Sequence, residues 1–140
     1  MILIDTSAWV EFLRGTGSPV CDRVDALLGG EFATCHPIRM ELLAGARDDR
    51  HLGQLRGLLA RAVLLPTPPA HYEAAAALYR ACRRQGATVR KLIDCLIAAH
   101  AIDVGAALLH ADSDFSALAR CTALRLDSIR PGEAGTNSEV

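Results

Sequence analysis

The chain of 140 residues opens with Met1-Ile2-Leu3-Ile4-Asp5-Thr6-Ser7-Ala8-Trp9, an apolar run that ends in a carboxylate. Consecutive apolar residues at the start of this stretch are typical of a strand that is covered on both faces, as in a parallel sheet. A hydroxyl residue, Thr6 or Ser7, then predicts the N-cap of a helix over residues 8–14. The stretch therefore predicts the first strand-to-helix unit of an α/β protein.

The same alternation continues along the chain. Further strands are predicted at 32–35, 62–65, 107–109 and 123–126. Further helices are predicted at 19–28, 37–44, 48–59, 70–85, 90–104 and 113–119, with Thr88 as the N-cap of the helix at 90–104. Strands that alternate with helices indicate a three-layer α/β/α sandwich around a central, mostly parallel sheet of about five strands.

Length and composition fit one compact domain. Apolar residues make up 51% of the chain and charged residues 22%, which is typical of a globular protein. We assign the domain to residues 1–130 and expect residues 131–140, which lack an apolar face, to form a flexible C-terminal tail. The formal net charge of −1 excludes a global basic field that would attract nucleic acid, although local basic patches remain open.

Cysteine usage and hydropathy favour a cytoplasmic protein without a membrane segment. The five cysteines are scattered and form no Cys-x-x-Cys pair, so we interpret them as buried apolar residues in a reducing compartment. The five histidines show no zinc-ligand spacing. No apolar run approaches the roughly 18 residues of a membrane span, and we identify no signal peptide.

Four acidic residues lie beside apolar runs although they are far apart in the chain: Asp5, Glu41, Asp94 and Asp112. Carboxylates are rarely buried without a partner, because removing an anion from water is costly. Asp5 and Asp112 follow predicted strands, and ligands of open α/β sheets bind at the carboxyl ends of strands. We therefore expect these acids to meet at one edge of the sheet and to share a cation, with Mg²⁺ the natural ion and Mn²⁺ possible for oxygen-only ligands.

The order of these motifs resembles the PIN-domain ribonucleases, and in particular the VapC-type toxins of bacterial toxin–antitoxin pairs. The resemblance spans residues 1–127 and rests on four segments: Asp5-Thr6-Ser7-Ala8-Trp9, Glu41-Leu42-Leu43-Ala44-Gly45, Asp94-Cys95-Leu96-Ile97-Ala98-Ala99, and Leu108-Leu109-His110-Ala111-Asp112-Ser113-Asp114-Phe115. One position departs from the pattern, because family members usually carry threonine or serine where this chain has His110.

The resemblance implies a metal-dependent endoribonuclease toxin that is a homodimer and is inhibited by a VapB-like antitoxin. The catalytic residues that it implies are Asp5, Glu41, Asp94 and Asp112. We expect the metal ligands to be Asp5, Asp94, Asp112 and Asp114, and the substrate contacts to be Ser7, Arg90 and Lys91. RNA is the implied substrate, and structured RNA such as transfer RNA is favoured.

Simpler interpretations of the same residues remain open at this stage. Asp5 and Asp112 are also suitable helix N-caps, and Asp114 is equally suited to capping and to metal ligation. The basic stretch that includes Arg90 and Lys91 is either a solvated helix end or an RNA contact. The chain could also keep the fold as a regulatory binding protein without catalysis, which a cleavage assay would separate from an enzyme.

Overall fold

The computed structural model describes residues 1–129 and contains one sheet with helices around it. The strands are β1 (Ile2–Ile4), β2 (Ala33–Cys35), β3 (Val63–Leu65), β4 (Ala107–Leu109) and β5 (Arg125–Leu126). The helices are α1 (Thr6–Leu13), α2 (Pro19–Leu27), α3 (His36–Ala44), α4 (Asp49–Leu59), α5 (Ala70–Arg84), α6 (Leu92–Val104) and α7 (Ser113–Cys121). The predicted α/β/α sandwich is confirmed. The tail predicted at 131–140 and the domain boundary at residue 130 lie outside the described residues.

The sheet has the strand order β3-β2-β1-β4-β5, and every pairing in it is parallel. The chain moves from the central strand β1 outward to β2 and β3, then crosses back through α5 and α6 to place β4 on the other side of β1. The direction of winding therefore reverses between β1 and β4. Such a switch point opens a crevice at the carboxyl ends of the two strands, where ligands of doubly wound sheets bind.

The core lies on both faces of the two central strands. Leu3 and Ile4 of β1 and Leu108 and Leu109 of β4 are completely buried, as expected for strands that helices cover on both faces. Larger apolar side chains, including Trp9, are also fully buried among the helices and strands. Four of the five cysteines are buried and all five thiols are free.

Four predicted helix starts differ from the observed ones, those of α1 and α6 by two residues and those of α3 and α4 by one. Helix α1 begins at Thr6, and its N-cap is Asp5, whose carboxylate accepts a hydrogen bond from the Ser7 amide. The prediction of Thr6 or Ser7 as the N-cap was therefore wrong. Helix α6 begins at Leu92 rather than at residue 90, and its N-cap is Lys91, so the prediction of Thr88 as the N-cap was wrong.

The junction between α6 and β4 depends on Gly105. This residue has a φ of +66°, a left-handed conformation that glycine adopts without steric cost. The turn ends α6 and directs the chain into β4 after a single further residue. Within residues 1–129, none of the helices is both long enough and apolar enough to cross a membrane.

We predict that Leu3→Ala destabilises the protein by about 2–5 kcal/mol, because the substitution leaves a cavity in the central strand. The matched control is Leu13→Ala on α1, where the leucine is 42% exposed and the expected loss is below about 1 kcal/mol. Urea unfolding measures both values. Equal losses for the two variants would contradict the placement of β1 at the centre of the core.

Candidate active site

Asp5 lies at the point where β1 meets β4. Its amide donates to the Leu109 carbonyl at 2.9 Å, so the first residue after β1 is fixed against the last residue of β4. Its carboxylate Oδ2 accepts hydrogen bonds from the Ser7 amide at 2.9 Å and from the Ser7 hydroxyl at 2.5 Å. Asp5 is only 4% exposed. It is thus both a helix cap, as the simpler interpretation held, and a buried acid at the switch point.

The Ser7 hydroxyl joins the two strand ends. It donates to Asp5, and it accepts a hydrogen bond from the Ala111 amide at 2.9 Å. The hydroxyl proton and one acceptor position are therefore already used by the protein itself. The hydroxyl thereby positions Asp5 and the loop between β4 and α7, and the substrate contact predicted for Ser7 stays a prediction.

Three carboxylates converge beside this junction. Asp94 lies in the first turn of α6, Asp112 is the N-cap of α7, and Asp114 lies in the first turn of α7. Each offers an oxygen, and the three oxygens all lie within 4.8 Å of one another. The fold therefore brings together residues that are up to 20 positions apart in sequence. Asp5 is not part of this group of three, but its charge raises the pKa of Asp94.

The fourth predicted acid, Glu41, reaches the site from α3. Its Oε1 accepts a hydrogen bond from the Thr6 hydroxyl at 2.8 Å, and its side chain is half-buried. Sequence reasoning missed this role of Thr6, which it treated as a possible helix cap. The only available clue was the presence of two hydroxyl residues directly after Asp5.

Arg90 is held beside the carboxylates by Asp114. The Arg90 amide donates to Asp114 Oδ2 at 3.2 Å and its Nε donates to Asp114 Oδ1 at 3.1 Å. Its Nη2 lies 3.4 Å from Asp112 Oδ1. Arg90, which was predicted to bind substrate, is thus fixed at the edge of the acidic group, with its side chain 65% exposed.

Lys91 lies next to the same group. Its Nζ is 3.4 Å from Asp112 Oδ2, and its side chain is 55% exposed. The charges of Asp94, Asp112 and Glu41 raise the pKa of Lys91, and Asp94 contributes most. The structure therefore places both predicted basic residues against the acids.

Burial and neighbouring charges give the acids of the site different pKa values. Burial raises the pKa of Asp94 to about 7, and the charge of Asp5 adds to this rise while Lys91 opposes it. Burial likewise raises the pKa of Asp5. Burial alone would raise the pKa of Asp112 as well, but the Asp114 amide, Lys91 and Arg90 hold it below its usual value.

A divalent cation fits these donors. Oδ2 of Asp94 is buried and has no hydrogen-bond partner, which is costly for a carboxylate oxygen unless a cation or a proton satisfies it. The neighbouring donors are all carboxylate oxygens, the ligand type that Mg²⁺ and Mn²⁺ prefer. Asp114 is close enough to contribute, although both of its oxygens already accept hydrogen bonds from Arg90.

His110 stands where the family usually has a hydroxyl residue, and its ring contacts the start of α7. Its Nδ1 accepts a hydrogen bond from the Asp112 amide at 3.1 Å, which a threonine or serine oxygen could also accept. Its ring lies 5.5 Å from that of Phe115, measured between centroids. The histidine therefore helps to position Asp112.

Comparison with known proteins shows the family to which the chain belongs. The family model of the PIN domain matches residues 2–120, so the chain belongs to the PIN-domain family. Two solved toxin–antitoxin structures share its fold. VapBC2 from Rickettsia felis, bound to a promoter DNA fragment, gives a TM-score of 0.68 at 20% identity over 91% of this chain and 98% of that one. VapBC-1 from nontypeable Haemophilus influenzae gives a TM-score of 0.71 at 20% identity over the same shares of the two chains.

Sequence similarity to a curated protein identifies the group within the PIN-domain family. Ribonuclease VapC11 from Mycobacterium tuberculosis is 49% identical over 134 residues, which cover 93% of this chain and all of that protein. The chain is therefore a member of the VapC ribonuclease family, as the motifs predicted.

We predict that Asp94→Asn stabilises the metal-free protein at neutral pH. In the unfolded chain an aspartate has a pKa near 3.8, whereas in the fold the pKa of Asp94 is about 7. Between these values the folded state binds the additional proton, so stability falls as pH rises from about 4 to about 7 and is then constant. Asparagine does not ionise, so the variant keeps the free energy of unfolding that wild type loses, which is on the order of 2–4 kcal/mol above pH 7.

Thermal unfolding in EDTA at pH 4 and pH 8 measures this effect. The advantage of Asp94→Asn over wild type should be present at pH 8 and small at pH 4. Asp25→Asn, at an exposed position on α2, should match wild type at both values. An Asp94→Asn variant that is less stable than wild type at pH 8 would show that the ionised carboxylate is satisfied in the metal-free fold.

Proposed function

We propose that the protein is a metal-dependent endoribonuclease toxin that hydrolyses RNA phosphodiester bonds in the cytoplasm. The observation that carries the proposal is the group formed by Asp94, Asp112 and Asp114, in which one buried oxygen of Asp94 has no partner. Membership of the VapC ribonuclease family supports RNA as the substrate. The protein would leave a 5′-phosphate and a 3′-hydroxyl.

Asp94 and Asp112 are the principal candidates to hold the cation, with Asp5 beside them. Mg²⁺ is the proposed ion and Mn²⁺ an alternative. Such an ion, when bound, lowers the pKa of water and neutralises charge that develops on the phosphate. Asp114 remains in the candidate ligand group by distance, and we propose that its main contribution is to fix Arg90 through the two hydrogen bonds that it accepts.

The remaining residues would bind the phosphate and move protons. Arg90 and Lys91 are the exposed cations nearest to the acids, and we propose that they contact the RNA backbone. Glu41 would accept a proton from the attacking water, since the Thr6 hydroxyl fixes the orientation of its carboxylate. Ser7 would hold Asp5 in place rather than contact the RNA.

Regulation is proposed to follow the pattern of the structural neighbours. The VapBC structures are toxin–antitoxin complexes, and we propose that a VapB-like antitoxin binds this chain and covers the acidic site. Positive charge on the covering segment would complement carboxylates that no bound RNA neutralises. Co-expression with the reading frame that neighbours this gene, followed by co-purification, is the direct measurement.

The RNA target is proposed at the level of class. We favour structured RNA, with transfer RNA foremost, as the resemblance implies. The exposed guanidinium and ammonium groups support backbone contacts, and such contacts carry no sequence information. Mapping of new 5′ ends in RNA from cells that express the protein would identify the target.

A homodimer is supported by the apolar surface between α3 and α6. A groove of about 620 Å³ lies there. Its lining residues are His36, Pro37, Arg39, Met40, Leu43, Thr67, Tyr72, Ile93 and Leu96. Met40 and Tyr72 on this surface, and Leu92 at the start of α6, are each 60% exposed, and such a concentration of exposed apolar side chains is typical of an interface. We propose that a second copy of the chain covers it.

We predict that Asp5→Asn abolishes RNA cleavage. The substitution removes a negative charge at the strand junction while preserving shape, so the activity of purified protein with Mg²⁺ or Mn²⁺ should fall by at least about a hundredfold. Asp25→Asn should cleave like wild type, and EDTA should stop cleavage by wild type and by Asp25→Asn. Undiminished cleavage by Asp5→Asn protein that is free of contaminating nuclease would refute the assignment.

We predict that Met40→Glu shifts the protein from dimer to monomer, since a charge in an apolar contact must be desolvated without a partner. Leu13→Glu introduces the same charge at another exposed apolar position and should leave the dimer intact. Sedimentation equilibrium measures both masses. A Met40→Glu variant that retains the dimer would place the interface elsewhere.

A further inference from the structure

Lys91 is the only lysine in the sequence, in which the other 14 basic residues are arginines. It lies beside two members of the acidic group. Its Nζ is 3.4 Å from Asp112 Oδ2, and its carbonyl accepts a hydrogen bond from the Asp94 amide at 3.1 Å. The single side-chain ammonium of the sequence is therefore anchored, through the backbone of its own residue, next to the acid whose buried oxygen has no partner.

Lys91 differs from its neighbour Arg90 in how it is held. The Arg90 guanidinium donates from Nε to Asp114 Oδ1 at 3.1 Å and from Nη2 to Asp112 Oδ1 at 3.4 Å, and the Arg90 amide donates to Asp114 Oδ2. Lys91 has one long contact with Asp112, and its side chain is 55% exposed. Its flexible stem allows the charge to move while the backbone stays in place. Of the two cations, Lys91 is the less firmly held, because it makes one contact with the acids and Arg90 makes three.

An ammonium group has the properties of a cation that a metal ion can displace. An ammonium is a compact point charge, whereas a guanidinium is a planar fork that makes directional contacts. Carboxylates that converge within 4.8 Å repel one another in the absence of a cation. A lysine that reaches them reduces this repulsion, yet it must give way when an ion of higher charge binds to the same oxygens.

We propose that the Lys91 ammonium is the resident counter-cation of the metal-free site and that the divalent ion displaces it. The inference rests on the proposed function, because it requires that Asp94 and Asp112 bind metal. The displaced ammonium is then free to contact an RNA phosphate, so metal binding and RNA binding are coupled through one side chain. Metal and Lys91 would compete for Asp112, while Arg90, which also contacts Asp112, would keep its two hydrogen bonds to Asp114.

Calorimetric titration with Mn²⁺ in the absence of RNA tests the competition. Lys91→Met keeps the length of the side chain and removes its charge, so Mn²⁺ should bind about tenfold more tightly than to wild type. Lys91→Arg keeps the charge and should stay within about threefold of wild type. Arg56→Met removes one charge from an exposed position on α4 and should bind Mn²⁺ like wild type.

The displacement itself can be observed because the chain has one lysine. Reductive methylation with ¹³C-formaldehyde labels Lys91 and the α-amino group and preserves both positive charges. On addition of Mg²⁺ the Lys91 resonance should shift and saturate, while the α-amino resonance stays in place as an internal control. In Asp94→Asn protein the Lys91 shift should be absent.

The outcomes separate this inference from the proposed function. One outcome refutes the role of Lys91 as counter-cation and leaves the metal site in place. In that outcome wild type binds Mn²⁺ and Asp94→Asn does not, but Lys91→Met binds Mn²⁺ no more tightly than wild type. A Lys91 resonance that does not respond to saturating Mg²⁺ refutes it in the same way. If wild type binds no Mn²⁺, or if Asp94→Asn binds equally well, both the metal site and this inference fail.

Discussion

The structure of the site depends on the free-energy cost of removing carboxylates from water where two buried strands end. The last two residues of β1 and of β4 are fully buried, and the chain leaves both strands at the same edge of the sheet. An acid at this edge is excluded from water by the helices that cover the core, so its charge needs protein donors or a cation. Asp5 obtains donors from Ser7, whereas Asp94 retains a buried oxygen without any. This difference is the reason that we propose a cation on the Asp94 side of the junction.

The surrounding contacts hold that arrangement in place. The Asp5 amide joins β1 to the end of β4, and the Ser7 hydroxyl joins α1 to the loop that precedes α7. Arg90 and Lys91 then supply positive charge from the segment before α6. Because all of these groups belong to strand ends and helix starts, their positions are set by the packing of the core. The acids are thereby held close together in spite of their mutual repulsion, as a preorganised site requires.

Much of this arrangement could be predicted from the sequence, because it follows from local patterns. An acid after each apolar run indicated Asp5 and Asp112, and alternating strands and helices indicated that these acids meet at one edge. The bonds from Thr6 to Glu41 and from Arg90 to Asp114 could not be predicted. They join residues 35 and 24 positions apart, and the direction of a side chain across such a distance depends on tertiary packing that no local spacing contains.

The central claim is that the carboxylates at the switch point bind a divalent cation. Anomalous scattering from crystals soaked in Mn²⁺ tests it most directly, because it locates the ion without any assay of activity. We predict one strong peak in contact with oxygens of Asp94 and Asp112, with the Lys91 ammonium withdrawn from Asp112. The account would be contradicted if the acids showed no peak at saturating Mn²⁺ and kept their contacts with Lys91.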